Sequence, residues 1–202
     1  MLENFKSQFV EMFGREDYQR KRLVDISTKI TDGSHNPPKG ICEDSGYYML
    51  SSQNVLNGKI NYTNARYLQK EAFDKENKRT QLSKGDVLLT IVGTIGRTAI
   101  INDEKNIVLQ RSVAVIKPNK EINSVYLNYE LCSRLVSKQL SYNSKGVAQK
   151  GIYLSSLKNI VILVPPIELQ NKFAHVVEQI DKQKFIIEKI EKIVNKKIIY
   201  KM

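Results

Sequence analysis

The sequence predicts an α+β protein with a twisted β core, followed by one long C-terminal helix. In residues 21–165, strand patterns outnumber helical patterns. The two do not alternate regularly, which argues against a doubly wound parallel sheet. After Pro165 and Pro166, residues 167–201 contain neither Gly nor Pro. A helix of that length would extend for about 50 Å.

The chain begins with a short amphipathic pattern. A helix is predicted over residues 3–13 and should stop at Gly14, since glycine commonly follows a helix end. Its apolar face consists of Phe5, Phe9, Met12 and Phe13. Because this face is wide for so short a segment, we expect it to pack against something long. Residues 15–22 are charged and predict a linker, so residues 1–20 are assigned to an N-terminal helix and linker.

The strands of the middle block are predicted from apolar runs bounded by turn residues. The predicted strands are residues 23–26, 47–50, 59–62, 87–92, 98–101, 107–109, 112–116 and 160–164. Residues 87–92 are almost continuously apolar, which predicts a strand buried on both faces. Residues 31–40 are turn formers and predict a loop. Asn57-Gly58 predicts a tight hairpin turn.

Helical patterns in the middle block are fewer. One helix is predicted over residues 65–78. A second should begin at Asn123-Ser124, whose side chains are typical N-caps. Its apolar residues are Tyr126, Leu127, Leu131, Leu135 and Leu140. A polar loop is expected at residues 141–151 and a short turn at 154–157.

The C-terminal helix, residues 166–202, has an apolar seam with heptad spacing. The seam residues are Phe173, Val176, Val177, Ile180, Ile187, Ile190, Val194 and Ile198. Gln183 and Lys184 interrupt the seam, as polar residues do when they set register in a coiled coil. Two interpretations remain open. The helix could lie on its own domain, or it could pair with another helix along its length.

The chain is strongly basic, with a net charge of +11 and a pI near 9.5. Such a charge favours a polyanionic partner, most simply nucleic acid, although basicity can also serve solubility alone. The two cysteines show no CxxC spacing, which is typical of a reducing cytoplasm. No leader pattern and no apolar stretch long enough to span a membrane is present in the sequence, so we expect a cytoplasmic protein without a membrane partner.

Catalytic motifs are not recognisable in the sequence. The glycine spacing in residues 93–98 is too short for a phosphate-binding loop, and the terminal Gly-Lys-Ser/Thr is missing. Asn36-Pro37-Pro38 resembles an adenine-methyltransferase element, but Lys39 replaces the aromatic residue. Acidic residues are scattered, and we expect no metal site. A nuclease or methyltransferase with unrecognised motifs, and a basic adaptor protein, remain alternatives.

The loops are rich in side chains that read bases or hold phosphates. The candidate DNA-binding residues are Ser34, His35, Lys39, Gln53, Asn54, Arg97, Arg111, Asn143, Lys145, Gln149 and Lys150. Each could instead be an ordinary solvated residue, and Arg97 and Arg111 could pair with carboxylates or carbonyls at strand ends. On a chain of charge +11, the whole set favours DNA binding.

The order of the motifs resembles the DNA-sequence specificity subunit of type I restriction–modification systems over essentially the whole chain. The segments that carry the resemblance are residues 7–14, 31–35, 48–55, 58–60, 82–88, 93–96, 149–152, 157–166 and 168–170. Each segment is weak alone, but their order and spacing together are specific.

This resemblance implies a target-recognition domain at residues 21–165, followed by a conserved-region helix that pairs in an antiparallel coiled coil. It implies a non-catalytic chain that recognises double-stranded DNA and docks the methyltransferase and restriction subunits. S-adenosylmethionine, ATP and Mg²⁺ would then belong to those partner subunits. A usual specificity subunit has two recognition domains, whereas this sequence has one. It could therefore be a half subunit that forms a homodimer, or one half of a longer subunit.

Overall fold

A computed structural model describes residues 6–14, 17–56, 58–102, 105–144 and 151–199. Its helices are α1 (Lys6–Phe13), α2 (Lys70–Thr80), α3 (Ser124–Glu130), α4 (Arg134–Asn143), α5 (Leu154–Lys158) and α6 (Ile167–Ile199). Its strands are β1 (Gln19–Arg22), β2 (Ser27–Asp32), β3 (Tyr47–Leu50), β4 (Val55–Leu56), β5 (Lys59–Ile60), β6 (Arg66–Tyr67), β7 (Val87–Thr90), β8 (Thr98–Ile100), β9 (Asn106–Leu109), β10 (Val113–Pro118) and β11 (Val161–Val164). The mixed α+β class and the long C-terminal helix are confirmed.

The central sheet has the order β2-β10-β7-β8, and all its pairs are antiparallel. Successive side chains of a strand point to opposite faces, so β7 and β10 supply apolar residues to two separate clusters. Val87 and Leu89 belong to one cluster, and Leu88 and Val115 belong to the other. Every residue of β7 is buried, which confirms the prediction from its continuous apolar run.

Two smaller β units flank this sheet. Strand β3 pairs with β6 antiparallel and with β9 in parallel. The β4–β5 hairpin pairs Leu56 with Lys59. Gly58 has a φ of +79°, which glycine adopts without strain, so the tight turn predicted at Asn57-Gly58 is confirmed for its described residue.

Several predicted boundaries are wrong. Residues 23–26 form a 3₁₀ turn, and the strands lie on either side of it. Strand β1 falls within the predicted linker, where Gln19 to Arg22 pair with Val164 to Val161 near the other end of the chain. A charged segment forms a strand here because a distant partner supplies the hydrogen bonds, and local propensity does not register that partner.

The helices also differ from the prediction. Residues 66–67 form β6, and α2 begins only at Lys70. The single helix expected after Asn123 is broken into α3 and α4. Asn123 does cap α3, as predicted, because its side chain accepts the Val125 N–H at 2.8 Å. Ser133 caps the second helix, since its Oγ accepts the Val136 N–H at 3.2 Å. The segment expected as a turn at 154–157 is the short helix α5.

An aromatic cluster joins α1, α3 and α6. The Phe173 ring of α6 lies 5.3 Å from Phe9, 5.4 Å from Phe13 and 5.1 Å from Tyr129, between ring centroids. The wide apolar face of α1 therefore packs against the long helix, as expected. Tyr126 extends this cluster, and its hydroxyl donates to the Leu163 carbonyl at 2.8 Å.

The heptad seam of α6 consequently has two parts. Phe173 and Val177 are buried in the chain's own core, and Val176 and Ile180 are half-buried. For this first part, the helix lies on its own domain, which is the first of the two interpretations that the sequence left open. Further along, Ile187 and Ile190 are 55% and 54% exposed. The side chains of Val194 and Ile198 lie outside the described part of the structure.

Candidate nucleic-acid interface

The polar loops converge because the strands end together. Strands β2, β3, β7 and β9 finish at one end of the sheets, where β8 and β10 begin. The loops at this end comprise residues 33–36, 51–54, 91–97, 110–112 and 151–153. We call this surface the loop face.

Backbone hydrogen bonds hold the loops of the loop face together. The Ser34 N–H donates to Leu109 O at 2.7 Å, and the Arg111 N–H returns to Ser34 O at 2.9 Å. The Ile91 N–H donates to Ser112 O and the Ile152 N–H to Ile91 O, both at 2.9 Å. These bonds fix loops that are distant in sequence relative to one another.

Gly33 makes the closest of these approaches possible. A Cβ atom at this position would lie 2.0 Å from the Leu109 carbonyl oxygen, closer than any side chain allows. The glycine is therefore required for the loop after β2 to lie against the end of β9.

Several predicted DNA-binding residues do come together on the loop face. His35, Gln53 and Arg111 are exposed there, and Arg97 is half-buried beside the glycine turn. The Arg97 N–H donates to Thr90 Oγ1 at 2.9 Å, which fixes the backbone from which its side chain extends.

Two predicted residues are instead structural. Asn54 is buried, its Oδ1 accepts the Ser51 N–H at 2.9 Å, and its Nδ2 donates to Asn61 O at 2.9 Å. Ser34 is also buried and joins β2 to the Gln110 strand end. Burial and these contacts give both residues a role inside the chain.

The other predicted residues lie around the periphery. Lys39 is exposed beside β6, where the neighbouring Pro38 carbonyl accepts from Arg66 Nη1 at 2.7 Å. Asn143 is half-buried in the last turn of α4 and donates to Gln139 O at 2.8 Å. Lys145, Gln149 and Lys150 lie outside the described residues.

Sequence reasoning missed three side chains at or beside the loop face. Asp32 is buried at the end of β2, and its Oδ1 accepts from Arg79 of α2. Tyr153 is an exposed aromatic residue that lines a recess together with Arg79 and Arg111. The turn chemistry around Gly33 could have pointed to Asp32, but no local pattern indicates Arg79, which is 47 residues away.

Away from the loop face, the structure contains a buried carboxyl group, that of Glu130. Glu130 is buried, and this burial raises its pKa to about 7 even though its Oε1 accepts the Leu163 N–H at 3.1 Å. Among the described residues, no three His, Cys, Asp or Glu side chains are grouped so that they could hold a metal ion. Neither Cys42 nor Cys132 is part of a disulfide bond.

Within the described ranges, no helix is both long and apolar enough to cross a membrane.

Comparison with known proteins decides the family. The family model described as "Type I restriction modification DNA specificity domain" matches residues 16–196. The chain belongs to this family. The resemblance seen in the sequence is thereby confirmed, and the specificity subunits for which the family is named are non-catalytic components.

Relatives within the type I specificity family are similar over much of this chain. The EcoBI specificity subunit of Escherichia coli is 35% identical over 136 residues, covering 67% of this chain and 28% of the relative. The MjaVIII specificity subunit of Methanocaldococcus jannaschii is 30% identical over 190 residues, covering 88% of this chain and 44% of the relative. This chain thus spans less than half the length of these two relatives.

A solved structure shares the fold of this specificity-family chain. The crystal structure of the HsdS subunit from Thermoanaerobacter tengcongensis superposes with a TM-score of 0.59 at 17% identity, covering 89% of this chain and 43% of that one. At this level of identity the similarity concerns the fold.

Proposed function

We propose that this chain is a DNA sequence-recognition and scaffold component of a type I restriction–modification complex. Membership in the specificity family is the observation that carries the proposal, and the loop face is the surface that would contact double-stranded DNA. Its exposed His35, Gln53 and Arg111 have the hydrogen-bonding groups that read base edges in the major groove. The net charge of +11 supplies the attraction to phosphates.

Lysines and amides in the loop after α4 would extend this surface. Residues Lys145, Gln149 and Lys150 follow Ser144, and the chain re-enters the described structure at Gly151, which pairs with Val92 on the loop face. Leu140, in the last turn of α4, lies beside Gly96 of the glycine turn. The loop therefore starts and finishes next to the candidate interface, and this placement supports its inclusion.

The chain would read one half of a bipartite DNA site. It carries one recognition domain, proposed at residues 21–165, and it matches less than half the length of its curated relatives. A second recognition domain would come from another copy of the chain or from the other half of a longer subunit. Two identical copies related by a two-fold axis would favour a palindromic site.

The second half of α6 is the proposed pairing surface. Phe185, Ile186, Ile187 and Ile190 are each 54–56% exposed, and they are large apolar side chains on one helix. An exposed apolar stretch of this kind is typical of an interaction site. We propose that it packs antiparallel against the corresponding helix in a coiled coil, which would hold two recognition domains apart. Residues 1–20 would pack against the first part of this long helix.

The methyltransferase and restriction subunits are the proposed partners on this scaffold, in the cytoplasm. They would carry S-adenosylmethionine, ATP and Mg²⁺. A nuclease or methyltransferase activity of the chain itself is the competing function. Incubating the purified chain alone with DNA, Mg²⁺ or S-adenosylmethionine distinguishes the two, since cleavage or methylation would refute the scaffold role.

The decisive test maps methylated DNA sites in cells with and without this chain. We expect a specific set of methylated sites to disappear when the chain is absent. In vitro, a complex with five to eight phosphate contacts should lose affinity with salt at a slope of roughly −5 to −7 in the logarithmic plot. A salt-insensitive affinity, or unchanged methylation, would refute DNA recognition.

A further inference from the structure

A buried carboxylate beside the loop face is not used by the proposed DNA contacts. Asp32 closes β2, and its side chain is only 8% exposed. Its Oδ1 accepts from Arg79 Nη2, and its Oδ2 accepts from His35 Nε2 at 2.8 Å. The Arg79 Nε also donates to the Asp32 carbonyl at 2.8 Å. Asp32 thus holds the side chains of His35 and Arg79, which belong to different segments of the chain.

The two side chains that Asp32 holds are themselves accessible. The side chain of His35 is 60% exposed and that of Arg79 is 43% exposed. A carboxylate oxygen accepts, so His35 Nε2 donates in this hydrogen bond. Among the described residues, neither His35 Nδ1 nor Arg79 Nη1 has a hydrogen-bond partner. Both groups remain available for a ligand.

A second buried acidic pair in the same sheet provides a comparison. Asp86, at the start of β7, is paired with Lys117 of β10 at the opposite end from the loop face. There the acid is 7% exposed and its cation only 17% exposed. In this pair both the acid and its cation are largely covered. The Asp32 pair buries the acid and exposes its partners.

His35 and Arg79 line a recess beside the loop face. The recess has a volume of about 420 Å³ and is also lined by Arg111, Tyr153 and the apolar Ile91, Val92 and Ile152. A lysine can hold a phosphate as a point charge, without a fixed orientation. Base edges require donors and acceptors in fixed positions, and an apolar contact can recognise a thymine methyl group. A recess with an apolar floor and anchored polar groups fits a base edge.

We propose that Asp32 is a positioning residue for base readout. It does not touch DNA but holds His35 and Arg79 in the orientation in which they meet base edges at the recess. This inference rests on the proposed DNA-recognition function. Anchoring by a buried carboxylate removes rotamer freedom before binding, so less ordering is required when the duplex arrives.

The test compares Asp32→Asn with Asp86→Asn in the full chain assembled with its methyltransferase subunits. Dissociation constants are measured for a duplex with the methylated site and for a scrambled duplex, over a series of salt concentrations. For Asp32→Asn we expect binding to the specific duplex to weaken about 10- to 100-fold, the cost of one mispositioned base contact. Binding to the scrambled duplex and the salt slope should stay unchanged, because no phosphate contact is lost.

The Asp86→Asn variant controls for general destabilisation, since it also removes a buried charge from the same sheet. Thermal unfolding of both variants is recorded beside the binding data. We expect both to melt at lower temperature, and only Asp32→Asn to lower the ratio of specific to non-specific affinity. His35→Gln, at an exposed position, should lower the same ratio. The double variant with Asp32→Asn and His35→Gln should lower the ratio little further than Asp32→Asn alone, because both substitutions disrupt the same hydrogen bond between Asp32 and His35.

Three results would distinguish a failure of the Asp32 inference from a failure of the DNA-recognition function. If the unaltered complex discriminates between the duplexes and Asp32→Asn keeps the full ratio, Asp32 is a structural ion pair and the inference fails alone. An equal loss of the ratio in both Asp variants would also refute it, because destabilisation would then explain the effect. If the unaltered complex binds neither duplex, the DNA-recognition function itself is refuted.

Discussion

The substitution Phe173→Ala tests the intramolecular part of the α6 seam. Phe173 is fully buried, and its ring lies within 5.1–5.4 Å of three aromatic rings on α1 and α3. Removing a buried phenylalanine side chain typically costs about 3–5 kcal/mol, from lost burial and the cavity left behind. For a chain of this length, each kcal/mol lowers the unfolding temperature by about 2–4 °C. We therefore expect a fall of roughly 10 °C.

Equilibrium unfolding in urea, followed at several protein concentrations, measures this loss. Because the contacts of Phe173 lie within one chain, the loss should be independent of protein concentration. Phe185→Ala is the matched control, since it changes the same residue type on the same helix at a site that is 56% exposed. Its effect should be small in the monomer and should grow with concentration if this part of α6 pairs with a second copy.

A loss below about 1 kcal/mol for Phe173→Ala would refute the aromatic cluster as the anchor of α6, because truncation of a buried phenylalanine costs several times more. A loss that rises with protein concentration would show that Phe173 faces another chain and not its own core.

Two further predictions concern α6 and the buried acid. Ile187→Asp places a charge in the exposed apolar stretch, so sedimentation should show a larger monomer fraction, and an unchanged distribution would contradict the proposed pairing. Glu130 has a folded-state pKa of about 7, above its usual value of 4.5. Between these two pH values the folded state keeps a proton that the unfolded state releases, so the free energy of unfolding falls as the pH rises from 4.5 to about 7. Compared with Glu130→Gln, the unaltered chain should lose about 3 kcal/mol between pH 4 and pH 8, as measured by urea unfolding. A pH-independent difference would refute the buried, raised-pKa carboxyl.

Local chemistry predicted a large part of the fold. Neighbouring residues determine the turn at Gly58, the cap at Asn123 and the long helix over residues 167–199, which contain neither Gly nor Pro. The continuous apolar run of β7 also predicted burial on both faces, because period and composition alone carry that signal. The family resemblance rested on the order of such segments.

The sequence predictions failed where contacts between segments far apart in the chain determine the local structure. Strand β1 was predicted as a linker because its charged residues become a strand only through β11. Asn54 was predicted to contact DNA because an amide side chain can hydrogen-bond to a base. In the structure its amide accepts from the Ser51 N–H and donates to Asn61 O, and the residue is buried. Sequence patterns report residue type and spacing, whereas exposure depends on what packs above a residue.

By itself, the sequence determined the family, the positive charge and the long helix, since these follow from composition, motif order and the absence of helix breakers. The tertiary structure alone decided which side of α6 faces its own core, which polar residues reach the surface and how Asp32 meets Arg79. Those outcomes depend on contacts between residues far apart in the chain, and the free energy of such contacts exists only once the strands and helices have packed together.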